Sequence, residues 1–144
     1  MEIIFTPFDK QVPILLSKKR ILAAFCGKRA GKTEIGAIRA GMFQEQKPNE
    51  KYKGRDPYLG IIAAPTRDML SRLSWKKFML YWKPFIQKEI TSPHTIFWHD
   101  HEEFYNESII YGISADVPER LEGLKASWIW VDEIFSVKEQ FFLE

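Results

Sequence analysis

A single cysteine stands in the 144-residue chain, so no internal disulfide can form. That scarcity fits a reducing compartment, and Cys26 reads equally as a small residue tolerated in a turn or as a reactive thiol. No run approaches the roughly 18 consecutive apolar residues of a membrane span. Residues 1–7 lack the basic start and long apolar stretch of a secretory signal. The expectation is a chain neither secreted nor membrane-bound. Charge of one sign is also scarce. The 21 Lys and Arg against 19 Asp and Glu leave a net charge of +2, which identifies no partner. Internal repeats and low-complexity tracts are missing. A composition of 45% hydrophobic and 15% aromatic residues excludes a disordered chain, and the length suits one domain with its own core.

The most informative segment is Ala24-Phe25-Cys26-Gly27-Lys28-Arg29-Ala30-Gly31-Lys32-Thr33. An apolar run, 21–25, reads as a buried strand over 21–26 feeding a glycine-rich turn. A helix over 31–46 follows, with Ile35, Ile38 and Met42 on one face. Strand, tight turn and helix make the context of a phosphate-binding loop. Small residues let backbone N–H groups of Gly27, Lys28, Arg29, Ala30 and Gly31 approach phosphates, and the helix N-terminus adds a positive dipole. Lys32 is placed to reach the outer phosphates, and the Thr33 hydroxyl to meet Mg²⁺. Cys26 occupies the first glycine position of the usual G-x-x-x-x-G-K-[ST] pattern, with Gly27 one residue later.

A second element supports the first. Residues 127–133, Ser-Trp-Ile-Trp-Val-Asp-Glu, are an apolar strand ending in two carboxylates. In that position Asp132 suits Mg²⁺, and Glu133 suits the general base that polarises an attacking water, a mark of hydrolysis. Further strands are expected at 58–64, 90–98 and 101–111, the last two joined near His99-Asp100. Gly112 to Ala126 reads as a loop. Thr66 should cap a helix reaching about Trp82, ended by Pro84, and a short helix is expected over 136–142. Alternating buried strands and helices predict an α/β domain with a mainly parallel sheet flanked by helices. Ligands of such sheets bind beyond the carboxyl ends of the strands, where both motifs lie.

Weaker features have plainer readings. His94, His99 and His101 are close in sequence, yet hydrogen-bonding or solvated histidines are favoured over a metal site. The stretch from Arg67 to Lys83 mixes bases with aromatics, as a DNA-backbone surface does. The favoured reading is an amphipathic helix with Met69, Leu70, Leu73 and Leu80 on the core. Trp128 and Trp130 read as core.

Taken in order, these motifs resemble the N-terminal ATPase domain of the large terminase subunit of tailed bacteriophages, a DNA-packaging motor. The match runs through the loop with Arg29 inside it, through Ile61-Ile62-Ala63-Ala64-Pro65-Thr66, and through Asn106-Glu107-Ser108-Ile109-Ile110-Tyr111. It continues in the Ser114 to Arg120-Leu121-Glu122-Gly123 stretch and the aspartate-glutamate strand. The resemblance implies a P-loop NTPase fold of the RecA/ASCE-like type, with ATP and Mg²⁺ as cofactors. It implies Gln11 on adenine, Arg29 on the γ-phosphate, and Arg120 as an arginine finger toward a neighbouring subunit. The partners it implies are double-stranded DNA, further copies of the chain in a packaging ring, a small terminase subunit and a portal, in the cytoplasm of an infected host cell. Glu144 lies eleven residues past Glu133, and no nuclease-type carboxylate cluster is evident. The expectation is a single ATPase domain over 1–144, the front part of such a subunit without its nuclease domain. A helicase-like ATPase, or a truncated nucleotide-binding chain without turnover, fits the same motifs.

Overall fold

Six consecutive residues, Leu59 to Ala64, are buried, and a strand buried on both faces has to lie inside a sheet. The computed structural model describes residues 5–7, 9–19, 21–24, 31–46, 58–99 and 108–133. The elements are α1 (Val12–Leu16), α2 (Lys32–Gln44), β1 (Tyr58–Ala64), α3 (Arg67–Met69), a π turn (Leu70–Ser74), α4 (Trp75–Trp82), β2 (Ile86–Thr91), β3 (His94–Trp98), β4 (Ser108–Ser114) and β5 (Trp128–Val131). The sheet order is β2-β3-β4-β1-β5, with β1 central to the parallel part. Its register runs Tyr58↔Ser108 to Ala64↔Ser114 on one side and Gly60↔Trp128 to Ala63↔Val131 on the other.

Among the described residues the sheet is mixed rather than mainly parallel. β2 and β3 form an antiparallel hairpin, and β3 runs antiparallel to β4. The expected strand over 90–98 is therefore broken at Ser92-Pro93 into the end of β2 and the whole of β3, while the joint expected near His99-Asp100, between 90–98 and 101–111, falls where residues 100–107 lie outside the described residues. Proline has no N–H for a ladder and breaks the run. Strand β1 matches its expected bounds, and β5 its expected place. The expected strand over 21–26 is not formed in its described part. Residues 22–24 lie in no strand, and Ile21 is 86% exposed. A short apolar run fixes no strand without a ladder partner, and among the described residues β5 is an edge. The helix over 136–142 lies outside the described residues.

The two faces of β1 are covered differently. Ile62 and Ala64 join Ala37, Ala40, Phe78 and Trp82 in a core under α2 and α4. Ile61 and Ala63 meet Ile113 and Ala115 on the other face, covered by Leu121 and Leu124. The longer helices α2 and α4 thus lie on one side, and the other is roofed by the 3-10 turn Pro118–Leu121 and the loop after it.

Tryptophans fill the helical side. Trp128 lies over Gly60, Trp130 against Gly36, and Trp82 against Gly41. Gln44, fully buried in this layer, donates to Ser108 Oγ (2.6 Å) and accepts from Trp128 Nε1 (2.8 Å). Tyr58 donates to the Phe43 carbonyl (2.7 Å), and burial pushes its hydroxyl pKa up to about 12.

Thr66 caps its helix as expected, its hydroxyl accepting from the Met69 N–H (3.2 Å). Within that helix Leu73 and Leu80 are exposed, 47% and 69%, while Trp75, Phe78 and Trp82 face the core. The π turn explains the correction. Its wider i→i+5 winding advances the buried stripe onto Ser74, Trp75, Phe78 and Trp82. In α2, Met42 is likewise turned outward while Ile35 and Ile38 are buried.

Gly41 gives a stability test whose sign is unusual. In most helix interiors Gly→Ala stabilises by about 1 kcal/mol. A Cβ at residue 41 would lie 1.8 Å from Trp82 Cε2, and the indole is fixed by its bond to the Ala37 carbonyl (2.9 Å). Gly41→Ala is therefore expected to destabilise by roughly 1–3 kcal/mol in urea unfolding, and a gain in stability would contradict this packing.

Candidate functional site

Helix α2 begins at the end of the glycine-rich turn. Gly31 holds φ at 73°, a left-handed conformation suited to glycine, and its carbonyl accepts the Ile35 N–H. Lys32 and Thr33 form the first turn of the helix, where free N–H groups and the dipole favour an anion. Gly27, Lys28, Arg29 and Ala30 lie outside the described residues.

Asp132 follows β5 directly. Its N–H donates to the Ala63 carbonyl (2.9 Å), which extends the β1–β5 ladder and fixes the carboxylate at the strand's end. Thr33 Oγ1 donates to Asp132 Oδ2 (3.1 Å) across 99 residues of sequence. Ser74 Oγ donates to the same oxygen (2.9 Å), and the Glu133 N–H to Oδ1 (3.2 Å). Asp132 and Ser74 are both buried. The two sequence motifs therefore meet at one carboxylate, and Ser74 is a member that sequence reasoning missed. Its only signal is a serine in an amphipathic helix, and the π turn that turns it inward has no signature of its own.

The oxygen set fits a hard divalent cation. Two ligands on adjacent vertices of a Mg²⁺ octahedron, with bonds near 2.1 Å, stand about 3.0 Å apart, close to the Thr33–Asp132 separation. Among the described residues no three His, Cys, Asp or Glu side chains gather into a metal-binding group. One carboxylate and one hydroxyl suit a cation that takes its other ligands from phosphate and water.

Glu133 is exposed and adopts φ 54°, a left-handed conformation rare for a residue with a side chain. Such conformations cost on the order of 1 kcal/mol and concentrate at functional sites.

Gln11 is buried, and its amide donates to the Gly31 carbonyl (3.2 Å), against the end of the turn. Its segment is tied down by Arg39, also missed from sequence. That guanidinium donates to the carbonyls of Ile14 (2.6 Å), Leu15 (3.1 Å) and Ser17 (2.7 Å), satisfying the open end of α1. Burial lowers the Arg39 pKa.

Arg120 lies on the 3-10 turn and is exposed; among the described residues no bond joins it to Thr33, Asp132 or Glu133. The described histidines make hydrogen bonds. His94 Nε2 pairs with Ser71 Oγ (3.0 Å) and His99 with Glu45, while His101 lies outside the described residues. Burial lowers the His94 pKa, the Arg67 charge adds to that, and Glu89 opposes it.

No protein-family model matches the sequence, and no curated protein matches it. Solved structures do match the fold. The large terminase ATPase domain of Thermus phage P74-26 superposes with a TM-score of 0.69 at 21% identity, over 97% of this chain and 58% of that one. An arginine-to-alanine mutant of that domain gives the same values. The large terminase of a thermophilic bacteriophage superposes with a TM-score of 0.71 at 16% identity, over 96% of this chain and 35% of that one. The chain thus has the fold of phage large terminase ATPase domains and spans between a third and three-fifths of those proteins' length.

If the Asp132 carboxylate organises this site, the Ser74 hydroxyl should be coupled to it. Ser74→Ala is expected to cost roughly 1–2 kcal/mol, as for a lost hydrogen bond to a buried charge. In the Asp132→Asn background that cost should shrink, a coupling of at least about 0.5 kcal/mol in a double-mutant cycle. Additive losses would show that the two side chains act separately.

Proposed function

We propose that this chain is a Mg²⁺-dependent ATPase module of a phage DNA-packaging motor, a terminase large subunit that couples ATP hydrolysis to translocation of double-stranded DNA into a procapsid. The observation that carries the reading is the Thr33–Asp132 hydrogen bond. It brings the end of the glycine-rich turn and the acidic strand to one point, as a P-loop NTPase of the RecA/ASCE-like type requires. The likeness in fold to terminase ATPase domains supports the same reading.

The roles follow from position. N–H groups at the start of α2, with those of Gly27 to Gly31, cradle the phosphates, and Lys32 neutralises the outer ones. Thr33 and Asp132 hold Mg²⁺, which when bound offsets charge on the β- and γ-phosphates. Ser74 keeps Asp132 turned toward Thr33. Glu133, exposed beside Asp132, accepts the proton of the attacking water. Gln11 reads adenine from its place beside Gly31. Arg29 acts on the γ-phosphate within the chain, and Arg120, away from the chain's own carboxylates, acts on a neighbour's nucleotide in a ring. The small terminase subunit and the portal would meet this ring in the cytoplasm of the infected cell. No helix of the described residues is long and apolar enough to cross a membrane.

Two variants test the assignment by separate readouts. Glu133→Gln is expected to keep Mg²⁺–ATP binding and lose at least about a hundredfold in hydrolysis, measured with and without double-stranded DNA. Undiminished turnover would place the base elsewhere. Lys32→Ala is expected to abolish ATP binding in calorimetry, and normal affinity would remove the loop assignment. Strand separation coupled to hydrolysis would favour a helicase-like ATPase over packaging, and tight binding without turnover a nucleotide-binding chain.

A further inference from the structure

A cavity of about 560 Å³ opens at the carboxyl end of β4, on the opposite side of β1 from Asp132. Neither Lys32, Thr33 nor Asp132 lines it. Its rim carries two guanidinium groups. Arg67 is steadied by a bond from Nη2 to Ser92 Oγ (3.2 Å). Arg120 projects from the turn after β4. Among the described residues neither arginine forms a salt bridge with a carboxylate, and the cavity lining holds these two positive charges and no Asp or Glu. His94 adds no third charge at neutral pH, because burial and Arg67 both disfavour its protonated form. The floor differs in character. Leu70, Ile113 and Leu124 supply apolar surface, and the ring of Tyr111 stands on its wall.

Each half of the cavity excludes a class of ligand. Paired guanidinium groups present forks that match phosphate oxygens, so a neutral apolar ligand would leave the rim unused. An inorganic anion alone would leave the apolar floor and most of the volume unfilled, since cavities of this size take ligands of nucleotide dimensions. Both halves are used by a phosphate joined to a planar, largely apolar body. The position agrees, because open α/β sheets bind ligands beyond the carboxyl ends of their strands. We propose that this cavity is a second nucleotide-binding site, separate from the phosphate loop, in which Arg67 and Arg120 hold the phosphate of a nucleoside phosphate and Tyr111 and Leu124 receive its base. The nucleotide comes either free or as one unit of a nucleic-acid strand. The chemistry at the cavity is the same for both, and Arg67 has no part in the ATPase reading.

Binding is measured in the full chain carrying Lys32→Ala, which silences the phosphate loop, and without Mg²⁺. The two probes are adenosine monophosphate and a 5′-phosphorylated single-stranded DNA tetranucleotide, each titrated by calorimetry. Saturable binding of either probe is expected, weakened about tenfold or more by Arg67→Gln and likewise by Arg120→Gln, as for loss of one charge-assisted contact. Both substitutions fall on exposed residues, so the fold should be kept. Binding of the mononucleotide identifies a free ligand, and binding of the tetranucleotide alone identifies a strand. No binding of either probe, or binding that neither arginine substitution weakens, overturns the proposal. These outcomes are independent of the phosphate-loop assignment, since ATP binding by the unsubstituted chain through Lys32 can succeed or fail whichever is found; Arg120 serves both readings, so Arg67→Gln is the substitution that separates them.

Discussion

One buried carboxylate oxygen, Asp132 Oδ2, joins three parts of the chain that are far apart in sequence. Thr33 reaches it from the start of α2, Ser74 from the π turn, and β5 carries it at its end. A buried carboxylate without such donors would cost several kcal/mol, so the fold has to supply them. That requirement constrains the rest. α2 has to begin just after Gly31, β5 has to end level with β1, and the helix after β1 has to turn its Ser74 inward.

The packing answers these constraints with aromatic bulk and a few fixed polar contacts. Trp82 binds the Ala37 carbonyl and locks α4 onto α2. Trp128 and Gln44 lock α2 onto β5, and Gln44 reaches on to Ser108 at the start of β4. Small residues at 36, 41 and 60 let the indoles lie against backbone. Arg39 fastens the segment of Gln11 to the same helix. The functional edge is therefore held from behind by a rigid layer, while Glu133 and the two arginines of the neighbouring cavity stay exposed.

Much of this was legible in the sequence where one physical signal dominated. The continuous apolar run of 58–64 could only be a strand buried on both faces. The cap at Thr66, the start of α2 after Gly31, and the meeting of Thr33 with Asp132 at the carboxyl edge followed from local chemistry and the general rule for parallel sheets. Misreadings arose where a tertiary choice overrode the local pattern. Residues 21–24 have a strand's composition, yet composition does not provide a ladder partner. The run of 90–98 alternated well enough to hide a hairpin at Pro93. An ideal 3.6-residue period puts Leu73 and Leu80 on the core, but the π turn shifts that period, and the same shift conceals Ser74. The bonds of Arg39 to three carbonyls depend on where α1 docks, which no local pattern reveals.

The central claim is that Thr33 and Asp132 form one cation site at the mouth of a phosphate loop. Its most direct test is a crystal structure with Mg²⁺ and a non-hydrolysable ATP analogue. The account predicts one Mg²⁺ ion within reach of both Thr33 Oγ1 and Asp132 Oδ2, directly or through one water, with the triphosphate over the start of α2. A nucleotide bound elsewhere, or a metal that contacts neither side chain, would contradict it.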